Sequence, residues 1–187
     1  MGKTMEHIAT HVTTSSTELV VTFTDIPQTY GALQLVSSFR TSAAVNSCSL
    51  NITFNNDSTT ANYRRFYQET YYSANVIGQY IYRGSGSATT AFGMLGDNRG
   101  GQLNVNAFGT MLIPQYAKTE LNKVYKITNG YNVNQTSIAN RRTRNMFGVM
   151  GWDNTSAITR IDITQPTAAN WIQKDTSSFT LYGWQES

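Results

Sequence analysis

Apolar and polar residues alternate along most of this chain, and the alternation sets the architecture to expect. In "SLNITF" the residues Leu50, Ile52 and Phe54, with Cys48 before them, fall on one side, and Ser49, Asn51 and Thr53 on the other. A period of two marks a strand with one dry face and one wet face. The pattern returns in "EHIATHV", where it groups Ile8, Thr10 and Val12. It continues in "ELVVTFTDI" with Leu19, Val21 and Phe23, and in "GALQLVSSFRT" with Leu33, Leu35 and Phe39. "ANVIGQYIYRG", "GQLNVNAFGTMLI", "NKVYKITNGY", "RNMFGVMGW", "AITRIDIT" and "SFTLYGW" bring the set to roughly ten strands. Between them "GSGSATT", "GDNRGG", "WDNTS" and "KDTSS" read as turns. Helical signals are confined to short stretches around Ala117 to Leu121 and Ala168 to Ile172. Short strands, regular turns and no long helical period predict an all-β fold, an antiparallel β-sandwich of jelly-roll type. Residues 18–187 read as one sandwich domain, and residues 1–17 as a further strand or an arm reaching to a neighbour.

Composition changes this picture in one respect. Asp, Glu, Lys and Arg make up only 13% of the 187 residues, against about 25% in an average soluble protein. The surface must therefore be built from Ser, Thr, Asn, Gln and Gly, which suit strands and turns. A net charge of +3 is too mild to argue for nucleic acid or a membrane surface. No apolar run approaches the ~20 residues that span a bilayer. The segment "MGKTMEHIATHVTTSS" lacks the apolar core of a signal peptide, so folding in a cytoplasm is the expectation. Cys48 is the sole cysteine, which leaves no intrachain disulfide; on its strand it reads as a small buried hydrophobe.

Candidate chemistry is sparse. His7 and His11 are the only histidines, and four residues of strand separate them by about 13 Å, too far for one metal ion. "NNDST" is rich in oxygen ligands but lacks the Asp-x-Asp-x-Asp-Gly pattern and the bidentate Glu of a calcium loop. It reads as a turn in which Asn55 and Asp57 organise the backbone. Asp153, Asp162, Glu69 and Glu120 show no spacing that singles out a hydrolytic pair, and no G-x-S-x-G elbow accompanies a histidine. "RGSGSATT" is not followed by the Lys-Ser or Lys-Thr of a phosphate loop. Sequons at Asn51, Asn56, Asn134 and Asn154 are what chance supplies in a chain so rich in Asn, Ser and Thr. The sequence therefore predicts no cofactor, no metal and no catalytic residue.

Two segments read instead as contact surfaces. "NYRRFYQETYY" carries Tyr63, Phe66, Tyr67, Tyr71 and Tyr72 beside Arg64 and Arg65, and Tyr with Arg is the composition enriched at protein interfaces. The same rings can stack on sugars, and part of them can belong to the core. "NRRTRN" clusters Arg141, Arg142 and Arg144, which could grip phosphates or a partner's carboxylates; against nucleic acid the solvated loop is the favoured reading, and a protein-contact patch stays open.

Taken in order, "FTDIPQTYGALQLVSSFRT", "LNITFNNDSTTANYRRF", "FGTMLIPQYA", "AITRIDIT" and "SFTLYGW" resemble a widespread family of bacteriophage virion proteins, of the structural, head-decoration or tail-associated kind. The "IPQTY" turn at Ile26 to Tyr30, the segment from Phe54 to Tyr63 and the closing Leu181 to Gly183 carry the likeness. "SANVIGQYIYRG" and "NRRTRN" contribute little to it. The resemblance implies a jelly-roll-like sandwich, a place on the virion and no catalytic residues. The leading expectation is then a capsid decoration or cement protein that oligomerises, as a trimer by the symmetry of such particles, and binds the major capsid protein and other virion proteins. The alternative is a tail or head fibre domain that binds a host surface glycan; a polysaccharide-degrading enzyme comes third.

Overall fold

The computed structural model describes residues 4–14, 18–40, 49–73, 76–85, 93–97, 107–133, 142–164 and 177–185. They form β1 (Met5–Val12), β2 (Val20–Phe23), β3 (Ala32–Phe39), β4 (Ser49–Phe54), β5 (Tyr63–Ser73) and β6 (Val76–Ser85). The chain continues through β7 (Gly93–Asp97), β8 (Ala107–Pro114), β9 (Lys123–Val133), β10 (Arg142–Trp152), β11 (Ile161–Thr164) and β12 (Ser178–Trp184). A 3-10 turn at Thr60–Asn62 precedes β5. Among the described residues there is no α-helix, and no helix long and apolar enough to cross a membrane.

Every ladder among the described residues is antiparallel. The larger sheet has eight strands in the order β1-β12-β3-β8-β9-β10-β5-β6, and the smaller has four, β2-β11-β4-β7. The first strand pairs with the last and the second with the one before it, so the chain rolls between two sheets in jelly-roll fashion. This is the sandwich that the alternation predicts.

Its core lies between the sheets. On β3 the buried positions are Leu33, Leu35, Ser37 and Phe39, and on β4 they include Leu50, Ile52 and Phe54. Ser37 is tolerated inside because its hydroxyl donates to Gly109 O at 3.2 Å. Phe54 is the hub: its ring meets Tyr125 edge-on at 5.3 Å, Trp152 at 5.4 Å and Tyr63 in a stack at 6.4 Å. Cys48 lies outside the described residues.

Three expectations change. First, the period of two fails on β1, where the register with β12 shifts between His7 and Ala9. This bulge turns Val12 outward, while Ile8 and Ala9 both pack against the core. It also puts His7, beside Tyr182, and His11, opposite Phe179, on opposite faces. Second, residues 117–121 form no helix. Gln115 takes a positive φ of 51°, and the buried ammonium of Lys123 gathers the carbonyls of Lys118, Leu121 and Thr155 at 2.5, 2.7 and 2.9 Å. The second helix candidate, residues 168–172, lies outside the described residues. Third, Gly96 and Asp97 of the expected turn "GDNRGG" end strand β7, whose glycines disguised it. β7 pairs with β4 and packs across β8 and β9.

Candidate functional site

The polar stretch after β4 is a turn, and its construction is explicit. Asn55 and Asn56 both take positive φ, 51° and 59°, and Asp57 N donates to Phe54 O at 2.8 Å. A type I′ turn requires this at both central positions, and Asn tolerates it better than most residues. Asn55 Oδ1 then accepts from Thr159 N and Arg160 N, while its Nδ2 donates to Ala157 O at 2.8 Å. Asp57 accepts from Thr59 N at 2.9 Å, Asn62 Nδ2 at 2.8 Å and the indole Nε1 of Trp152 at 2.7 Å. Burial pushes the Asp57 carboxyl up, but these donors outweigh it and hold its pKa below the ordinary value. A carboxylate ringed by N–H donors is a structural acceptor and a poor cation ligand. Among the described residues no three His, Cys, Asp or Glu side chains gather to hold a metal.

The Tyr and Arg strand divides by face. Tyr63 is buried; its hydroxyl donates to Asp57 O at 2.9 Å and accepts from Phe54 N at 3.1 Å, and burial raises its pKa. Tyr67 is also buried, stacked on Tyr82 with centroids 4.6 Å apart. Both therefore leave the expected contact surface: the period of two that makes β5 a strand sends odd-numbered residues toward the smaller sheet. Arg65 and Tyr71 share that side and are half-buried. Tyr71 stacks on Tyr80 at 5.1 Å, over Gly78, where a Cβ would come within 2.2 Å of the ring. Arg64 and Tyr72 point outward, Arg64 pairing with Asp153 at 2.7 Å. Arg142 and Arg144 enter β10 opposite Ser73 and Tyr71, and Arg141 lies outside the described residues. Among the described residues of β5, Tyr63 and Tyr67 are buried while Arg64 and Tyr72 face outward, so these candidates do not share one surface. Asp162, another of the four carboxylates weighed for hydrolysis, is held bidentately by Arg160 and accepts from Thr22.

What the sequence left unmarked is the outer face of the larger sheet, which no described strand covers. At one end of it a cleft of about 530 Å³ opens over β12, β3, β8 and β9. Trp184 forms one wall. Ala32, Gln34, Thr110, Met111, Leu112, Pro114, Lys126 and Thr128 line the rest, with Gly31 and Gln185 at the rim. The register explains the assembly: Trp184 lies opposite Ala32, Gln34 opposite Leu112, Leu112 opposite Lys126, and Thr110 opposite Thr128. The indole Nε1 donates to Gln34 Oε1 at 2.9 Å, which fixes the ring and leaves the Gln34 amide N–H groups free to donate. Gly31 N donates to Trp184 O, and Gln115 N donates to Gly31 O, each at 2.8 Å, closing the rim. The lining contains no carboxylate, histidine or cysteine. It offers one indole, two hydroxyls, two amides and one ammonium.

Beyond Lys126, whose Nζ lies 5.0 Å over the Phe147 ring, the same face turns apolar. Val149 and Phe66 are neighbours across β10 and β5, with Phe147 beside them and Ile81 on β6; all four are exposed. Only the period of two marks these residues as outward, and their hydrophobicity marks them as inward. The two signals conflict, and only Phe66 stands out in the sequence, as a ring of the Tyr and Arg run.

No protein-family model and no curated protein sequence matches the chain. Among solved structures it is similar to the galectin LEC-6 of Caenorhabditis elegans, with 7% identity, a TM-score of 0.32 and coverage of 95% of this chain and 96% of that one. It is also similar to the CBM40 of the Ruminococcus gnavus IT-sialidase, with 12% identity, a TM-score of 0.27 and coverage of 83% and 77%. At such values neither the ligand nor the binding site of these proteins transfers to this chain.

Proposed function

We propose that this chain is a non-catalytic binding protein that holds a host-surface glycan in the Trp184 cleft, and that it serves on the surface of a phage particle. The observation that carries the reading is the chemistry of the cleft. A sugar presents C–H faces and hydroxyls in alternation, and each hydroxyl both donates and accepts. An indole wall beside Thr110, Thr128 and the amides of Gln34 and Gln185 supplies an apolar, electron-rich surface and neutral groups of matching hydrogen-bond capacity. The volume suits one or two sugar rings. Glycoside hydrolysis uses a pair of carboxyl groups, and none lines the cleft. The place on a particle rests on the order of the sequence motifs alone.

A glycan array probed with the full chain tests the reading. Binding to a defined glycan class is expected, lost in Trp184→Ala and weakened at least about tenfold in Gln34→Ala, in line with the loss of one or two good contacts. Tyr72→Ala, remote from the cleft on β5, is expected to bind as the parent does. Silence across the array, or binding that Tyr72→Ala abolishes and Trp184→Ala leaves intact, contradicts it.

The apolar stripe favours a second reading, in which this face packs against the major capsid protein as a decoration. Phe66, Phe147, Val149 and Ile81 are exposed together on this face, and adjoining exposed apolar residues are what protein contacts cover. Added to empty capsids, the protein should then raise their melting temperature, and Phe66→Asp with Phe147→Asp should remove the effect. Capsids that neither bind the protein nor change in stability dispose of this reading.

A further inference from the structure

Strands at sheet edges carry unpaired N–H and C=O groups, and folded proteins blunt such edges with bulges, charges, proline or brevity. Four described strands lie at edges: β1 and β6 of the larger sheet, β2 and β7 of the smaller. The bulge between His7 and Ala9 bends β1, which also carries Glu6. β2 and β7 have only four and five residues. β6 is built otherwise. It runs for ten residues without proline, in unbroken register with β5 from Ser85 opposite Arg64 to Val76 opposite Ser73. Its single charge is Arg83. On the outer face Ile77 is 76% exposed and Ile81 59%. Among the described residues no strand pairs with its far side.

We propose that β6 pairs antiparallel with β6 of a second copy of this chain across a twofold axis, joining two eight-stranded sheets edge to edge. A twofold contact requires a surface that complements itself, and a nearly neutral, isoleucine-bearing strand does so. Charge selects the register. An axis near Arg83 would set two guanidinium groups face to face. An axis at Tyr80 sets Ile77 opposite Arg83 of the partner, where the arginine stem packs on the isoleucine, and separates the two Arg83 side chains by about 20 Å along the strands. Ile81 then lies opposite Gln79, and the apolar stripe of Phe66, Phe147 and Val149 continues through Ile81 into the same stripe of the partner. An acidic partner would find only Arg83 to meet on this strand, and a cationic one nothing at all.

Sedimentation of the full chain across a micromolar concentration series tests the pairing, with Ile77→Lys/Ile81→Lys as the variant. Both side chains are exposed, so circular dichroism is expected to stay unchanged. The parent is expected to sediment as a dimer, and the variant to dissociate on the order of 100-fold more readily, as like charges set across a contact require. Amide exchange in Val76–Ser85 of the parent is expected to slow as concentration rises. A parent that stays monomeric, or one that forms a trimer, overturns the proposal. So does a dimer that the double substitution leaves intact, or one whose β6 amides exchange at the same rate at every concentration.

Discussion

Asp57 shows how much a single side chain organises here. It ties together the turn after β4, the 3-10 turn before β5 and the indole of Trp152 through three N–H donors. Because its folded pKa lies below the unfolded value, its contribution is complete above the unfolded pKa of about 3.9 and is lost as pH falls through the folded pKa. Urea unfolding at pH 7 and pH 3 should show the parent losing stability in that window, and Asp57→Asn losing less; equal losses would remove Asp57 from this role. Asn55 is the companion case. Asn55→Ala gives up a left-handed residue's local compensation and the bonds to Ala157, Thr159 and Arg160, and should cost about 2–3 kcal/mol in chemical denaturation. A cost below about 0.5 kcal/mol, the level of an ordinary surface change, would contradict the turn as described. Both residues were legible in the sequence as turn formers. Their partners, a hundred residues away in the chain for Asn55, were not.

At the scale of elements, the alternation located most strands and most of the core, because a period of two depends only on local backbone geometry. It failed where something local breaks the period. The bulge in β1 reverses the faces after His7, and β7 hides behind its glycines. On β5 the composition of "NYRRFYQETYY" marked a contact surface with part of its rings in the core, and the period of two decides which, sending Tyr63 and Tyr67 inward and Tyr72 outward. Denaturation of two alanine variants makes the division measurable. Tyr67→Ala, removing a buried ring stacked on Tyr82, should cost about 3–5 kcal/mol, as for large buried aromatics. Tyr72→Ala, on the outer side of the same strand and 44% exposed, should cost clearly less, about 1 kcal/mol. Similar costs at both positions would mean that the two rings share an environment.

For the whole molecule, a four-stranded sheet closes the inner face of an eight-stranded one, and no described strand covers the outer face of the larger sheet. The cleft on that face joins Trp184 from the last strand to Gln34, Thr110 and Thr128 from three others. No spacing in the sequence could bring these together, since only the register of β12, β3, β8 and β9 does so. Two of the tryptophans provide an internal comparison, because Trp184 walls the cleft while Trp152 is buried and bonded to Asp57. The most direct measurement is therefore a titration of nitrogen-15-labelled protein with purified host-envelope oligosaccharides, following the indole N–H signals. The Trp184 signal should move in a saturable way while that of Trp152 stays in place; an unmoved Trp184, or shifts confined to the Tyr63–Ser73 strand, would contradict binding in the cleft.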